Sequence, residues 1–257
     1  MPVPSEVMTP MKLGRAIAVV GTVAVVLAVR SRMSRESRRR TTPPDIGFMY
    51  AMHDAFRRDV SRLQAAVGKI GTRREVPSTV LEGWDVFQRN LTFHHQAEDD
   101  DLWPTLRTRI DDVDERGAID DMVREHSLIP PALEAVSRGL GGSEDPQPAV
   151  DQLATLVLDH LDHEERDVLP LVERRLSDAD WHAFLRTERN RRAPRERPEF
   201  LCWVLDDTRP EHADAVLGEL PPPGRLVYRQ VLKPRYDARH LWDTDGPTTT
   251  RLLEADS

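Results

Sequence analysis

Phe93-His94-His95-Gln96-Ala97-Glu98-Asp99 is one of two short stretches that decide how this chain folds, and Asp159-His160-Leu161-Asp162-His163-Glu164-Glu165 is the other. In each stretch a histidine is followed four residues later by a glutamate, His94 by Glu98 and His160 by Glu164. On an α-helix, residues i and i+4 lie above one another on one face. Each stretch therefore predicts a helix that directs an imidazole nitrogen and a carboxylate oxygen toward one point.

Four apolar stripes with alternating steps of three and four residues indicate four amphipathic helices, and each stripe includes a histidine. No stretch shows the strict period of two that is typical of a half-buried strand. We therefore expect an all-α fold, an up-down-up-down four-helix bundle. Pro130 and Pro131 should break or kink its third helix, because proline lacks the N–H donor. The stripes are Ile46, Met49, His53, Phe56, Val60, Leu63 and Val67; Val80, Trp84, Phe87, Leu91, His94, Glu98 and Leu102; Ile119, Met122, His126, Ile129, Leu133, Val136 and Leu140; and Leu153, Leu156, His160, Glu164, Val168 and Leu171.

Six polar residues lie within these apolar stripes, where a buried polar group is unfavourable unless it has a partner. Metal ions would satisfy all six at once, so we interpret them as candidate metal ligands. His95 with Asp99, and His163 with Asp167, have the same spacing, and they are equally consistent with exposed polar faces of charged helices. The six candidate ligands are His53, His94, Glu98, His126, His160 and Glu164.

The order of these ligands resembles the hemerythrin-like HHE cation-binding domain, and the lettering around them is similar to bacterial members of that family. The resemblance covers roughly residues 45 to 190 and implies a four-helix bundle that holds two non-haem iron ions. Carried over by position, it implies that His53, His94 and Glu98 bind one iron. His126, His160 and Glu164 then correspond to the ligands of the other iron, and Glu98 and Glu164 to bridging carboxylates.

The third helix departs from the oxygen-carrying hemerythrins, which have a second histidine one turn from the third-helix ligand. Here the positions four before and four after His126 hold Met122 and Pro130. The resemblance therefore supports reversible oxygen transport less than it supports metal binding. Some members of the resembled family have an extra ligand directly after the second-helix histidine, which corresponds to His95. The sequence leaves open whether His95 supplies the missing donor.

The ligand types indicate which metal and which chemistry to expect. Mixed imidazole and carboxylate ligands suit iron, manganese or zinc, whereas oxygen-only ligands favour magnesium or calcium. We expect two non-haem iron ions, with manganese or zinc as alternatives. Neutral imidazoles in place of carboxylates disfavour highly oxidised iron, so we expect a protein that binds or senses oxygen, a related small oxidant or iron, with no catalytic residue assigned. A di-iron enzyme that reduces peroxide or nitric oxide, and a zinc-stabilised structural helical bundle, are the alternatives.

Composition divides the 257 residues into three parts. Residues 1–44 form a basic leader, residues 45–192 the predicted bundle with an extra C-terminal helix, and residues 193–257 a Pro-rich, irregular extension with short helices. The leader has eight Lys and Arg against two acids, a net charge of +6. Because the whole chain has a net charge of −8, the rest of the chain has a net charge of −14. An acidic domain does not attract nucleic acid.

Cys202 is the only cysteine, which excludes an internal disulfide and a multi-cysteine metal site.

Residues 13–29 of the leader are largely apolar and lie between basic residues. The stretch is short for a membrane span, which needs about 20 residues. We expect a cytoplasmic protein; the alternative is a membrane anchor at residues 13–29 with the bundle facing the cytoplasm, as the positive-inside rule requires. A leader that is disordered or not translated is equally open.

Three further expectations concern helix ends and the C-terminal tail. Thr79-x-x-Glu82 predicts a capping box at the start of the second helix. Ser177-Asp178-Ala179-Asp180 predicts the N-cap of a fifth helix. The tail after Trp242 is predicted to be disordered.

Overall fold

The computed structural model describes residues 43–71, 75–142 and 144–249, so residues 13–29 lie outside the described part of the chain. None of the described helices combines the length and apolar composition that a membrane crossing requires. The α-helices are α1 (Gly47–Ile70), α2 (Ser78–Ala97), α3 (Trp103–Arg107), α4 (Val113–His126), α5 (Ile129–Leu140), α6 (Gln147–His163), α7 (Leu169–Arg175), α8 (Asp178–Arg191), α9 (Arg197–Leu205), α10 (Pro210–Gly218), α11 (Pro222–Val227) and α12 (Lys233–Asp237).

Four helical segments form the bundle, which confirms the predicted all-α fold. The first segment is α1, the second α2 with α3, the third α4 with α5, and the fourth α6 with α7. Helix α1 packs against α2 and α6, and α5 packs against α6. The interruption predicted at Pro130 and Pro131 is confirmed, because α4 ends at His126 and α5 begins at Ile129.

The predicted apolar stripes form the interior of the bundle. Every stripe residue is buried except Leu156, which is half-buried. The buried side chains separate into two apolar clusters, a larger one that includes Phe56 and a smaller one that includes Met49. His53 lies between these two residues on α1 and belongs to neither cluster. The candidate ligands therefore form a polar layer between two apolar parts of the core.

Three helices widen into a π-helical turn directly before an x-Pro pair. Proline has no N–H to donate and crowds the carbonyl four residues earlier, and the wider register relieves both problems. Two of the turns begin at the candidate ligands Glu98 and Glu164, whereas the third contains no candidate ligand, which indicates that proline causes the turn. The turns are Glu98–Leu102 before Pro104, Glu164–Val168 before Pro170 and Tyr228–Leu232 before Pro234.

The fifth helix begins as predicted, but the second does not. Ser177 caps α8 in a capping box with Asp180, which confirms that prediction. The capping box at Thr79 was wrong: α2 begins at Ser78 without a side-chain cap, and the Thr79 hydroxyl donates to the carbonyl of Asp243. The Thr79 hydroxyl thus binds Asp243, which is distant in sequence, and does not cap its own helix.

The prediction of a disordered tail after Trp242 was wrong for residues 243–249, which return to the start of α2, and residues 250–257 lie outside the described part of the chain. The Trp242 N–H donates to the Thr79 carbonyl at 3.0 Å, and strand β1 (Val76–Pro77) pairs antiparallel with β2 (Thr248–Thr249). The Trp242 ring lies so close to Gly83 that an added Cβ would be 2.6 Å from it. Only glycine allows this approach, and the contact links residues far apart in sequence.

The C-terminal extension packs against α1 and shares its core. Trp203 of α9 is fully buried, with its ring centroid 5.0 Å from that of Phe56. Its indole N–H donates to Asp59 at 2.7 Å, and the Arg58 guanidinium donates to the Trp203 carbonyl at 2.8 Å. Both apolar and polar contacts therefore join the extension to the helix that carries His53.

Candidate metal centre

The structure brings all six predicted ligands together in the polar layer between the two apolar clusters. His53 comes from α1, and His126 is the last residue of α4. The four pair residues lie where α2 and α6 enter their π turns. All six are at most 5 % exposed: His53, His94, Glu98, His126, His160 and Glu164.

The donor atoms fall into two groups. In each group, one possible ligand atom per residue lies within 4.8 Å of all the others. One group contains two histidines and both glutamates, and the other contains three histidines. The first is His53, His94, Glu98 and Glu164, and the second is His95, His126 and His160.

His95 is the residue that sequence reasoning did not commit to. It is only 7 % exposed, so its interpretation as part of an exposed polar face was wrong. Its ring stacks on that of His126 with centroids 4.1 Å apart. On an ideal helical wheel, two successive residues such as His94 and His95 point in different directions, and the wheel does not include the π turn that follows α2. That both histidines are buried is therefore seen only in the tertiary structure. His163, by contrast, is 21 % exposed in its side chain and lies outside both groups.

Glu98 and Glu164 lie between the two groups. One oxygen of Glu98, Oε1, is 3.3 Å from His94 Nε2, and the other, Oε2, is 3.5 Å from His126 Nε2. Glu164 Oε2 is 3.2 Å from His53 Nε2 and 3.9 Å from His160 Nε2. Each carboxylate therefore contacts a histidine of both groups.

Three further carboxylates bind the outer nitrogens of the histidines. Glu165 is 2.8 Å from Nδ1 of His53, Asp99 is 2.9 Å from Nδ1 of His126, and Glu125 is 3.0 Å from Nδ1 of His160. An ionised carboxylate only accepts, so each Nδ1 carries the proton and each Nε2 presents its lone pair to the centre. Such partners fix the ring orientation and raise the basicity of metal-binding histidines.

Sequence reasoning did not single out these outer carboxylates as partners, although the sequence holds a signal for them. Asp99 directly follows Glu98, Glu165 directly follows Glu164, and Glu125 directly precedes His126. Each carboxylate therefore adjoins a candidate ligand in sequence but supports a histidine on another helix. The pairing across helices requires the tertiary structure.

The hydrogen bonding of the inner atoms tests whether a metal fits. Among the described residues, both carboxylate oxygens of Glu98 and Glu164 lack a hydrogen-bond partner, as do Nε2 of His53, His94 and His95. A buried polar atom without a partner costs about 1–3 kcal/mol, and more if it is charged. These unpaired, buried lone pairs in the two donor groups fit the binding of metal cations.

Burial and neighbouring charges shift the pKa values of the side chains in the polar layer. Burial lowers the pKa of His94 and His95 well below the usual range of histidine. Burial and the carboxylate of Glu164 raise the pKa of Glu98 well above its usual range. Burial would also lower the pKa of His53, but Glu164 and Glu165 raise it to about 9. Glu164 and Glu165 thus favour a positive charge on the His53 ring.

Comparison with known proteins agrees with this geometry. A family model described as the hemerythrin HHE cation binding domain matches residues 45–172, a range that includes the six predicted ligands and His95. Neither the curated proteins nor the solved structures gave a significant match. The description of the matched domain names cation binding, and both donor groups described above could hold a metal ion. Through residues 45–172, the chain therefore belongs to the hemerythrin HHE cation binding domain family.

Proposed function

We propose that this protein holds two non-haem iron ions and uses them to bind or sense oxygen, a related small oxidant, or iron itself. The observation that carries the proposal is the position of Glu98 and Glu164, which each contact histidines of both donor groups. Two cations that share two carboxylates match this arrangement better than a single ion does.

The donor groups suggest which residues would hold each ion. His53 and His94 would bind the first ion, and His95, His126 and His160 the second, with Glu98 and Glu164 shared. Five imidazoles and two carboxylates suit iron, and also manganese or zinc. When bound, an iron pair supplies one-electron redox chemistry and coordination positions for a small ligand. The first ion would have fewer protein ligands than the second, so we place the small ligand there.

The surroundings of the centre support binding more than turnover. Phe56 lies against the His94 ring with centroids 5.2 Å apart, and Trp103 lies 6.4 Å from the His126 ring. Both aromatic side chains are at most 1 % exposed. The outer carboxylates bind histidine nitrogens that face away from the centre, so they are engaged in holding the rings. The chain's own residues therefore orient the ligands and exclude water.

The test is metal content together with the absorption spectrum of the full chain, purified without oxygen and then exposed to air. We expect close to two irons per chain and new absorption bands in air, both lost in the double variant His94→Ala, His160→Ala. His182→Ala is the matched control, because His182 lies on α8, half-exposed and outside both donor groups.

Three outcomes would contradict the proposal. Stoichiometric zinc without colour would indicate a zinc-stabilised structural bundle, and absence of metal would indicate a bundle without a metal function. Rapid turnover of peroxide or nitric oxide by the iron-loaded protein would indicate an enzyme in place of a binding or sensing protein.

A further inference from the structure

The extension presents an amphipathic segment at residues 222–237, and we propose that its outward face binds an anionic lipid surface. The segment consists of α11, the π turn Tyr228–Leu232 and α12. Its position is fixed from the inside by Tyr228 and Tyr236, which are 6 % and 9 % exposed and belong to the larger apolar cluster. The opposite face is therefore held toward solvent.

That outward face is apolar. Leu226 is 60 % exposed, and Val227 and Val231 are each 37 % exposed. They are three of the six large apolar side chains that are exposed in the described residues. Pro223 and Pro234 are exposed beside them. Exposed apolar side chains that are clustered on one segment mark an interaction surface, whereas isolated ones need no explanation.

Basic residues surround these apolar side chains. Residues 222–237 contain four basic residues and one acid, a balance of +3 in a chain of net charge −8. Lys233 pairs with Asp237 at 2.7 Å. Arg229 and Arg235, both exposed, have no ion pair or hydrogen bond within the described residues. A helix with an apolar face, flanked by unpaired arginines, is typical of segments that lie in the interface of an anionic membrane.

The composition of this face favours a lipid surface over a protein partner. Protein interfaces are centred on aromatic anchors, but both tyrosines of this segment point into the core. A second copy of the chain would bring the same positive face against itself in a symmetric dimer, where like charges repel. An anionic bilayer offers charge complementarity without that penalty.

The first experiment is co-sedimentation of the full chain with vesicles of phosphatidylcholine alone and with vesicles of phosphatidylcholine and phosphatidylglycerol in equal parts. We expect stronger binding to the mixed vesicles. Arg229→Ala with Arg235→Ala should weaken it about 25-fold, since each arginine near an anionic surface contributes about 1 kcal/mol. Leu226→Asp with Val231→Asp should weaken it further.

The matched control is Val113→Asp with Val123→Asp, which alters two valines that are 80 % and 42 % exposed on α4. Equal binding of the wild type, the double-arginine variant and the Leu226→Asp, Val231→Asp variant would overturn the proposal, because residues 222–237 would then make no contribution to binding.

A second experiment measures whether the outward face of residues 222–237 contacts lipid, by the emission of an environment-sensitive dye. The dye is attached to the new cysteine of Val231→Cys or, as a control, of Val113→Cys. The native Cys202 should not compete for the dye, since it is 3 % exposed and burial raises its pKa to about 12. We expect a blue shift with mixed vesicles for the dye at position 231 and none at 113. No shift at 231, or a shift at 231 that appears in concentrated protein without vesicles, would contradict lipid binding; the latter would indicate self-association.

Discussion

At the scale of single residues, the centre depends on side chains that do not touch the metal positions. Glu125 accepts from two histidines at once, Nδ1 of His160 at 3.0 Å and Nδ1 of His163 at 2.7 Å. These two bonds lower the pKa of Glu125, although its partial burial opposes them. An ionised Glu125 keeps the His160 proton on Nδ1, so Nε2 remains free to bind a cation.

Glu125→Gln should therefore weaken metal binding, because an amide accepts less strongly and can present its N–H₂ group to the ring. We expect a loss of about 10- to 100-fold in metal affinity, the usual effect of removing such a partner. Competition with a coloured chelator measures it. Asp167→Asn is the control, since Asp167 contacts His163 at 3.3 Å but no candidate ligand. Equal affinity of the two variants would show that Glu125 does not position His160.

At the scale of elements, the π turns set the position of the shared carboxylates. In the two helices that carry a His-Glu pair, the glutamate is the first residue of the wide turn, and the following segment begins with an x-Pro pair. Proline thus acts on the metal centre through the backbone, several residues away from the ligand it affects. The turn before Pro234 has the same cause but lies in the extension.

Pro104→Ala should restore an N–H donor and allow the helix to return to the narrower α-helical register. Glu98 would rotate away from its position between His94 and His126, and we expect metal affinity to fall roughly tenfold, as for other losses of ligand orientation. The same chelator competition measures it. Pro234→Ala is the matched control and should leave metal affinity unchanged. A fall in both variants would indicate general destabilisation in place of a local effect on Glu98.

At the scale of the whole molecule, the bundle and the extension form one core. Trp203 and Phe56 belong to the same apolar cluster, although the matched family domain ends at residue 172. Arg209 and His212 of the extension bind Asp54, the neighbour of His53. We therefore expect the extension and the bundle to unfold in a single transition.

Trp203→Ala tests this coupling. We expect it to lower the free energy of unfolding by about 3–5 kcal/mol, since it leaves a large cavity. It also removes the indole donor from Asp59, which is 1 % exposed. Trp203→Phe keeps most of the packing and should cost about 1–3 kcal/mol for the lost hydrogen bond. Urea unfolding of the metal-free protein gives both values. Two separate transitions in the wild type, or no loss in Trp203→Ala, would show that the extension folds independently.

The sequence by itself determined the class of fold and the candidate ligands. Periodicity of apolar residues is a local property, so it predicted the bundle helices, the break before Pro130 and the inward direction of His53, His94, Glu98, His126, His160 and Glu164. Helix α8 was predictable for the same reason, because Ser177 and Asp180 cap it through contacts within one turn.

Only the tertiary structure decided which groups meet across helices. It placed His95 with His126 and His160, set the carboxylates of Glu98 and Glu164 between the two groups, and paired Glu125 with His160. It also returned residues 243–249 to the start of α2. These contacts join residues that are distant in sequence, and their free energy comes from burial and pairing that no local pattern contains.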